Sequence, residues 1–411
     1  MLDGFVALSP ARWRLWALLA LGLTLCSPAA AQSGAGALSN WQPDLSSPSE
    51  YLAKIGPGGV ISAAQFGAVP GDGAPDSQAI QNALAYAARQ GSAAVLLPAG
   101  EYLLDRPVSL VSNVALVGQG CGATKIVRTP NSRDQVLIEV KGVSNVRVQG
   151  IQFDHNSGRP FTTSISLRGA GSSDVAILDD CFTDSRPVTA GGDRWAVSLG
   201  SGSVTPSQRV WIGRNDVSGG LQLTANGGPG VSVLRIVDNQ VRGGRNAGLA
   251  VTTLVRGGAF NDVLIARNQI IDSQGLGIYI GPDKAGASAS AFANVVVSGN
   301  IIRGFTGQFP IGIYIRAAGL SSDGITVSGN TLDAAGRKET IGIQFTDRFW
   351  GHNKRITDVR IDGNDISGFE RGIWLTSVDN GLVSGNSIRT NSGTRAYLID
   401  PAQNRNVRGP Q

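Results

Sequence analysis

The sequence predicts an all-β fold, a parallel β-helix of about ten coils whose three parallel sheets share an asparagine ladder and an N-terminal capping helix. Three observations carry that expectation. Short apolar strands recur with no helical pattern between them, and each recurrence closes on Asn or Asp. Glycine is 56 of 411 residues, about twice average usage. Apolar residues at 42% and charged residues at 16% exclude a disordered or coiled-coil chain. Glycine has no every-third-residue period, which excludes collagen.

In chain order, residues 1–31 read as a cleavable export signal. Arg12 and Arg14 precede the apolar run Leu15 to Leu25, and Ala29, Ala30 and Ala31 offer a small-residue cleavage site before Gln32. That run is too short to span a bilayer, and no other apolar stretch is longer, so no membrane span is expected. The expected location is secreted or periplasmic. Residues 32–60 then form an N-terminal extension, 61–400 the β-helix and 401–411 a tail.

Asp76 and Ser77 mark the start of a capping helix with Ala79, Ile80, Ala83, Leu84 and Ala87 on one face, and Gly91 ends it. Such a helix would cover the apolar open end of the first coil.

The repeat itself is a few alternating apolar residues, a polar step, then Asn and more apolar residues. It closes on Asn215, Asn239, Asn268, Asn300, Asn330, Asn364 and Asn386, at gaps of 24, 29, 32, 30, 34 and 22 residues. Asp180 holds the same place one unit earlier, and Ile151 one before that. A second phrase lies between, as in Gly-Ile-Tyr-Ile at 277–280 and again at 312–315. Stacked asparagines can satisfy turn groups that would otherwise be buried without partners, so this column is read as structural. Of the cysteines, Cys121 and Cys181 survive cleavage. The repeat register sets them about two coils, roughly 9–10 Å, apart. A disulfide needs Cα atoms within about 7 Å, so both are expected unpaired and without a metal role.

The segment Phe66-Gly67-Ala68-Val69-Pro70-Gly71-Asp72-Gly73, then Asp76 with its helix, then Val95-Leu96-Leu97-Pro98-Ala99-Gly100-Glu101-Tyr102, resembles the opening of the pectate-lyase superfamily. That resemblance implies a right-handed parallel β-helix and substrates that are usually acidic polysaccharides. The same opening occurs in lyases, polygalacturonase-like hydrolases, uronate epimerases and phage tailspikes, so it specifies fold more than reaction.

On such a fold the Gly-Ile-Tyr-Ile strands lie in the first sheet and the Asn column between the second and third. The outward column of the first sheet then reads Ser166, Ser198, Gln222, Ala250, Tyr279, Tyr314, Gln344 and Trp374. The adjacent column reads Arg168, Gly200, Thr224, Thr252, Gly281, Arg316, Thr346 and Thr376. Outward aromatics beside Arg316 suit a sugar platform that meets a uronate carboxylate with an arginine fork. They suit equally an aromatic ladder that protects the sheet backbone.

Two turns strengthen the functional reading. One carries Asp283 and Lys284. The other carries Asp347, Arg348, Trp350, His352, Lys354 and Arg355. For β-elimination, Arg316 with Lys284 or Lys354 would neutralise the carboxylate, and Tyr314 or Tyr279 would act as acid or base. Asp283 and Asp347, two coils apart, keep inverting hydrolysis open. The polygalacturonase-like Gly-His-Gly phrase is absent, and Asp154-His155-Asn156 only faintly resembles the Asp-Pro-His phrase of epimerases. The adjacent Asp179 and Asp180 look like an acid pair, but Asp180 falls in the Asn column, so a ladder role is expected.

The leading expectation is a polysaccharide lyase on an acidic polymer, a partner that the net charge of +5 suits. A hydrolase, an epimerase or a non-catalytic carbohydrate-binding module remains alternative. No cofactor is expected, calcium is the one ion left open, and nothing points to nucleic acid.

Overall fold

The structure, a computed structural model, describes residues 37–410 apart from 92, 131, 133, 157–160, 168–169, 186–193, 199–204, 220, 228–229, 254–257, 283–290, 308–309, 317–321, 347–354 and 392–394. The export signal expected at 1–31 lies outside the described residues.

Short strands separated by turns wind the chain into a parallel β-helix. Its three sheets hold 13, 11 and 11 strands, every pairing parallel, which makes about eleven full coils rather than ten. The chain runs in each coil from sheet 1 (for example Leu276–Pro282) to sheet 2 (Ala291–Ser298) and sheet 3 (Ile301–Arg303). Alternation puts one apolar residue in two inside. Val263, Val295 and Ile325 are register partners in sheet 2, as are Ile278, Ile313 and Ile343 in sheet 1, and all are fully buried. Phe260 and Phe292 stack inside at 5.5 Å, and Phe153 and Phe182 at 5.4 Å. Glycine opens each sheet 1 phrase because coils touch there. A Cβ on Gly277 would sit 2.5 Å from Ile302 Cγ2 and 2.5 Å from the Gly312 carbonyl.

The ladder forms as the spacing requires. Asn215, Asn239, Asn268, Asn300, Asn330 and Asn364 each donate both the backbone N–H and the side-chain amide to the next asparagine's Oδ1, at 2.8–3.1 Å. Each amide also reaches a carbonyl of an earlier coil, as Asn300 does to Ile265 at 2.9 Å. Asp180 is the first acceptor of the series, taking the Ile151 N–H at 2.9 Å and passing its own N–H to Asn215. The residue before each rung takes a left-handed φ, at Asp179, Arg214, Asp238 and Arg267 and then at Gly299, Gly329, Gly363 and Gly385. The first four alternate in charge and pair, Arg214 with Asp179 at 2.6 Å and Arg267 with Asp238 at 2.8 Å.

The capping helix α2 spans Ser77–Gln90 and buries Ile80, Ala83, Leu84 and Ala87, with Gly91 in the left-handed conformation at its end. Asp76 stands at its N-cap, with its carbonyl accepting the Ile80 N–H at 3.0 Å, but its side chain makes no capping bond. Its carboxylate instead accepts the N–H groups of Val69 and Leu103, tying the first coil together.

A helix that the sequence reading left as plain extension, α1 at Pro48–Ile55, precedes it. The Ser47 hydroxyl and Glu50 carboxylate make a capping box, the one local signal that marked it. Residues 39–55 lie along the outer face of sheet 2. Ser39 N–H meets Asp262, Trp41 packs edge-on against Trp211 at 6.3 Å, and Tyr51 lies 4.0 Å under the Arg147 guanidinium. Tyr51, Leu52 and Ile55 then cover Ala94, Ala115 and Val117.

The cysteine expectation is overturned. Cys121 and Cys181 form a disulfide with Cα atoms 5.7 Å apart. The coil-spacing argument assumed a turn of ordinary length. Residues 118–123 instead make a longer connection, with Gly120 N–H on the Gly150 carbonyl and Cys121 beside the Asp179 carbonyl, so the loop leans across the intervening coil.

Two predictions follow from these contacts. The bridge closes a 60-residue separation, so its loss should cost about 4 kcal/mol. A reductant should lower the melting temperature of the wild type but not of a Cys121→Ser/Cys181→Ser variant. The second concerns Asp180, whose burial raises its pKa well above the usual range. The folded state holds that proton more tightly than the unfolded one, so this site's contribution is full below the unfolded pKa near 3.9 and falls as pH rises towards the folded pKa. Asp180→Asn supplies a neutral rung and should raise stability at pH 7 while flattening that pH dependence. A lower melting temperature at pH 7 would contradict it.

Candidate functional site

The outward face of sheet 1 is built by strand register. Ala250, Tyr279, Tyr314, Gln344 and Trp374 are direct partners on consecutive strands. Upstream the column differs from the expected one. Thr224, not Gln222, partners both Ser198 and Ala250, because the register shifts between Trp195 and Val197 and leaves Gln222 opposite Trp195. The second column moves with it, so that Asn226 rather than Thr224 stands beside Thr252. The downstream half, which holds the aromatics, stands as read.

There the Tyr279 and Tyr314 rings stack with centroids 5.4 Å apart and planes at 28°. Tyr279 donates its phenol proton to the Pro282 carbonyl at 2.5 Å, which fixes its ring. Arg316 follows two residues after Tyr314, beside Gly281 and Thr346. Burial raises the Tyr314 pKa, against the smaller opposing influence of the Arg316 charge. Tyr314 is therefore a phenol at neutral pH, suited to giving a proton rather than taking one. Gln344 and Thr346 are buried on the same face, and Thr376 donates its hydroxyl to the Phe345 carbonyl at 3.2 Å. Arg371, which sequence reasoning passed over, lies with its guanidinium 5.2 Å from the Trp374 ring centroid. Its signal was its place three residues before Trp374 on one short strand, Arg371–Leu375.

Asp283, Lys284, Asp347, Arg348, Trp350, His352 and Lys354 lie outside the described residues, as does Arg168. His155 is fully buried, with Nε2 3.0 Å from the Ser164 hydroxyl. Burial, then the charges of Arg128 and Arg194, push its pKa down to about 3, so it is neutral at physiological pH. Asp154 accepts the N–H groups of Asn156 and Ser185, which makes 154–156 a pinned turn. Among the described residues no group of three or more His, Cys, Asp or Glu side chains could hold a metal ion, and no helix is long and apolar enough to cross a membrane.

Residues 60–169 match the sequence profile of a family described as rhamnogalacturonase A/epimerase, pectate lyase-like. No curated protein matches the chain by sequence. Solved structures that it resembles include the A-module of the mannuronan C-5 epimerase AlgE4 of Azotobacter vinelandii, at 16% identity and a TM-score of 0.54, covering 84% of this chain and 98% of that one. PfbA, a surface adhesin of Streptococcus pneumoniae, is similar at 16% identity and 0.52, covering 83% and 93%. A tailspike protein variant of the E. coli bacteriophage HK620, in complex with a pentasaccharide, is similar at 16% and 0.51, covering 80% and 66%. The chain thus shares the parallel β-helix fold with these structures.

The close approach at Gly281 yields a prediction. A Cβ there would lie 2.9 Å from Arg316 Cβ and 3.0 Å from Tyr279 Oη. Gly281→Ala should therefore cost about 1–3 kcal/mol of stability in denaturant unfolding. An unchanged unfolding midpoint would mean that Gly281 does not hold these two side chains at their spacing.

Proposed function

We propose that this protein is an exported enzyme that cleaves an acidic, uronate-containing polysaccharide by β-elimination on the outward face of sheet 1. The observation that carries this reading is the stacked Tyr279–Tyr314 pair with Arg316 in the adjoining column. Aromatic faces pack against the C–H faces of pyranose rings, and a guanidinium fork meets a carboxylate through two parallel hydrogen bonds. With the carboxylate neutralised by Arg316, a base can take the C5 proton. The C4–O bond then breaks, a C4=C5 double bond forms, and the leaving oxygen needs a proton. Tyr314, kept protonated by its burial, fits that donor role. Tyr279 spends its proton on Pro282 and serves as platform. The base would come from the neighbouring turns, where the sequence carries Asp283, Lys284, Asp347, His352 and Lys354. The sequence signal at residues 1–31 supports export.

A second reading is C5 epimerisation. It shares carboxylate neutralisation and C5 proton removal with elimination, and differs in returning a proton to the opposite face. The mannuronan C-5 epimerase module has the same fold, and the matched family description names both an epimerase and a rhamnogalacturonase. Hydrolysis would instead rest on Asp283 and Asp347. A non-catalytic module would bind without chemistry.

The test incubates the mature protein with uronate-containing and neutral polysaccharides, following unsaturated-uronate absorbance, new reducing ends and exchange of the C5 proton with heavy water. Absorbance with reducing ends supports elimination. Reducing ends alone mean hydrolysis, C5 exchange without cleavage means epimerisation, and binding alone means a non-catalytic module. In the first case Arg316→Ala should fold normally and lose about 1.5–3 kcal/mol of transition-state binding, roughly ten- to a hundredfold in rate. Arg316→Lys should recover only part of it, since an ammonium cannot form the fork. Wild-type turnover by Arg316→Ala would move the site elsewhere.

A further inference from the structure

The last two strands of sheet 1, Arg371–Leu375 and Tyr397–Ile399, form the floor of a pocket that the reaction scheme above does not use. Its volume is about 570 Å³, within the range of small-molecule sites. Its walls include Arg371, Trp374, Arg395, Tyr397, Asp400 and Gln403. We propose that this pocket is a separate binding subsite for one anionic sugar residue, read through its carboxylate by Arg371 and Arg395.

The chemistry of the lining supports that occupant. Trp374 offers a broad apolar ring, and Arg371 already sits over it at 5.2 Å, within cation–π range. A sugar packed on that ring has a guanidinium alongside it. Arg395 is exposed and has no carboxylate partner among the described residues. Among the described residues Arg371 pairs with Glu370, at 3.9 Å, too long for a hydrogen bond. The one acid in the wall is already engaged. Asp400 accepts the Ala402 N–H and the Gln403 amide, both at 2.9 Å, which fixes the 400–403 turn. Two guanidiniums and one committed carboxylate line the pocket, and with Glu370 paired loosely to Arg371 outside the lining, Arg395 is the cation left to meet an anion. An anion with an apolar ring face fits it better than a neutral sugar.

Its place in the fold adds a positional meaning. Trp374 ends the outward column that starts at Tyr279, and Leu398 beside it lies on the final strand of sheet 1. A glycan laid along the axis from Arg316 reaches this pocket two coils on, roughly 10 Å away, where the sheet stops. The Asn404 side chain pins the wall behind it, accepting the Val378 N–H at 3.0 Å and donating to the Leu375 carbonyl at 2.8 Å. The pocket is therefore a rigid last subsite, filled by a residue at or near a chain end.

The inference rests on the reading of sheet 1 as an acidic-glycan surface, and its test separates the two. Calorimetry would measure binding of uronate trisaccharides (galacturonate, glucuronate and mannuronate) and of the same trimers with their carboxyls reduced to alcohols. The proteins are the full mature wild type, Arg395→Gln and Arg395→Lys, each checked for an unchanged melting temperature. Arg395→Gln should weaken the best acidic trimer by about tenfold, Arg395→Lys by less, and neither should alter binding of the reduced trimer. Arg371→Gln should act in the same direction. Acidic binding equal to wild type in both Gln variants overturns this subsite while leaving the surface intact. Equal losses on acidic and reduced trimers overturn the charge reading. No acidic binding by the wild type overturns the subsite and the surface together.

Discussion

Everything in this fold depends on the turn between sheets 2 and 3, where the backbone must bend inside the apolar stack without water. A buried N–H left without a partner costs more than a typical made hydrogen bond returns. The asparagine column solves this with one side chain per coil, since each Oδ1 takes two donors from its neighbour and each amide reaches a carbonyl of an earlier coil. Neighbouring rungs are therefore coupled, and a defect at one strands donors at the next. That coupling fixes the axial register of all three sheets, and with it the alignment of Tyr279 with Tyr314 and of Gln344 with Trp374.

The residue before each rung shows the same constraint from the backbone side. A left-handed φ disfavours most side chains, and the chain meets it in two ways. In the early coils Asp179, Arg214, Asp238 and Arg267 accept the conformation and pair through their charges. In the later coils glycine removes the difficulty. The early coils also carry the chain segment 39–55 on sheet 2, where Arg147 and Arg235 hold it through the carbonyls of Asp44 and Ser39. The outer face of sheet 2 is thus occupied over the early coils. Aromatic side chains aligned on consecutive strands occur on the outer face of sheet 1.

How much of this was legible in sequence depends on whether a feature repeats. The Asn column, the interior alternation and the Tyr279–Trp374 column are periodic, and period carries three-dimensional information when each coil adds one strand spacing. What failed was local and unrepeated. Gln222 was misplaced because a single register shift near Trp195 is invisible to a pattern read coil by coil. Cys121 was judged out of reach because one turn, 118–123, exceeds the usual length. Trp41 and α1 belong to no repeat, and only the Ser47–Glu50 capping box announced the helix. Arg395 and Asp400 share a pocket with Trp374 through the segment that follows strand Arg371–Leu375, which belongs to no repeated phrase.

The face of sheet 1 divides its labour between strand and turn. Strand side chains are held in register and close-packed, as at Gly281 against Arg316, so they are suited to positioning. Tyr279 is committed to Pro282, and Tyr314 keeps its proton because its surroundings penalise the phenolate. Tyr314 is therefore poorly suited to take a proton at neutral pH, and a guanidinium cannot do so. On the proposed reading, a base for C5 would come from the turns that leave these strands, where the sequence carries Asp283, Lys284, Asp347, His352 and Lys354. On the same reading, binding of an acidic chain would belong to the stacked strands. The choice among elimination, epimerisation and hydrolysis belongs to the turns, the part of a solenoid free to vary in length and composition without disturbing the ladder.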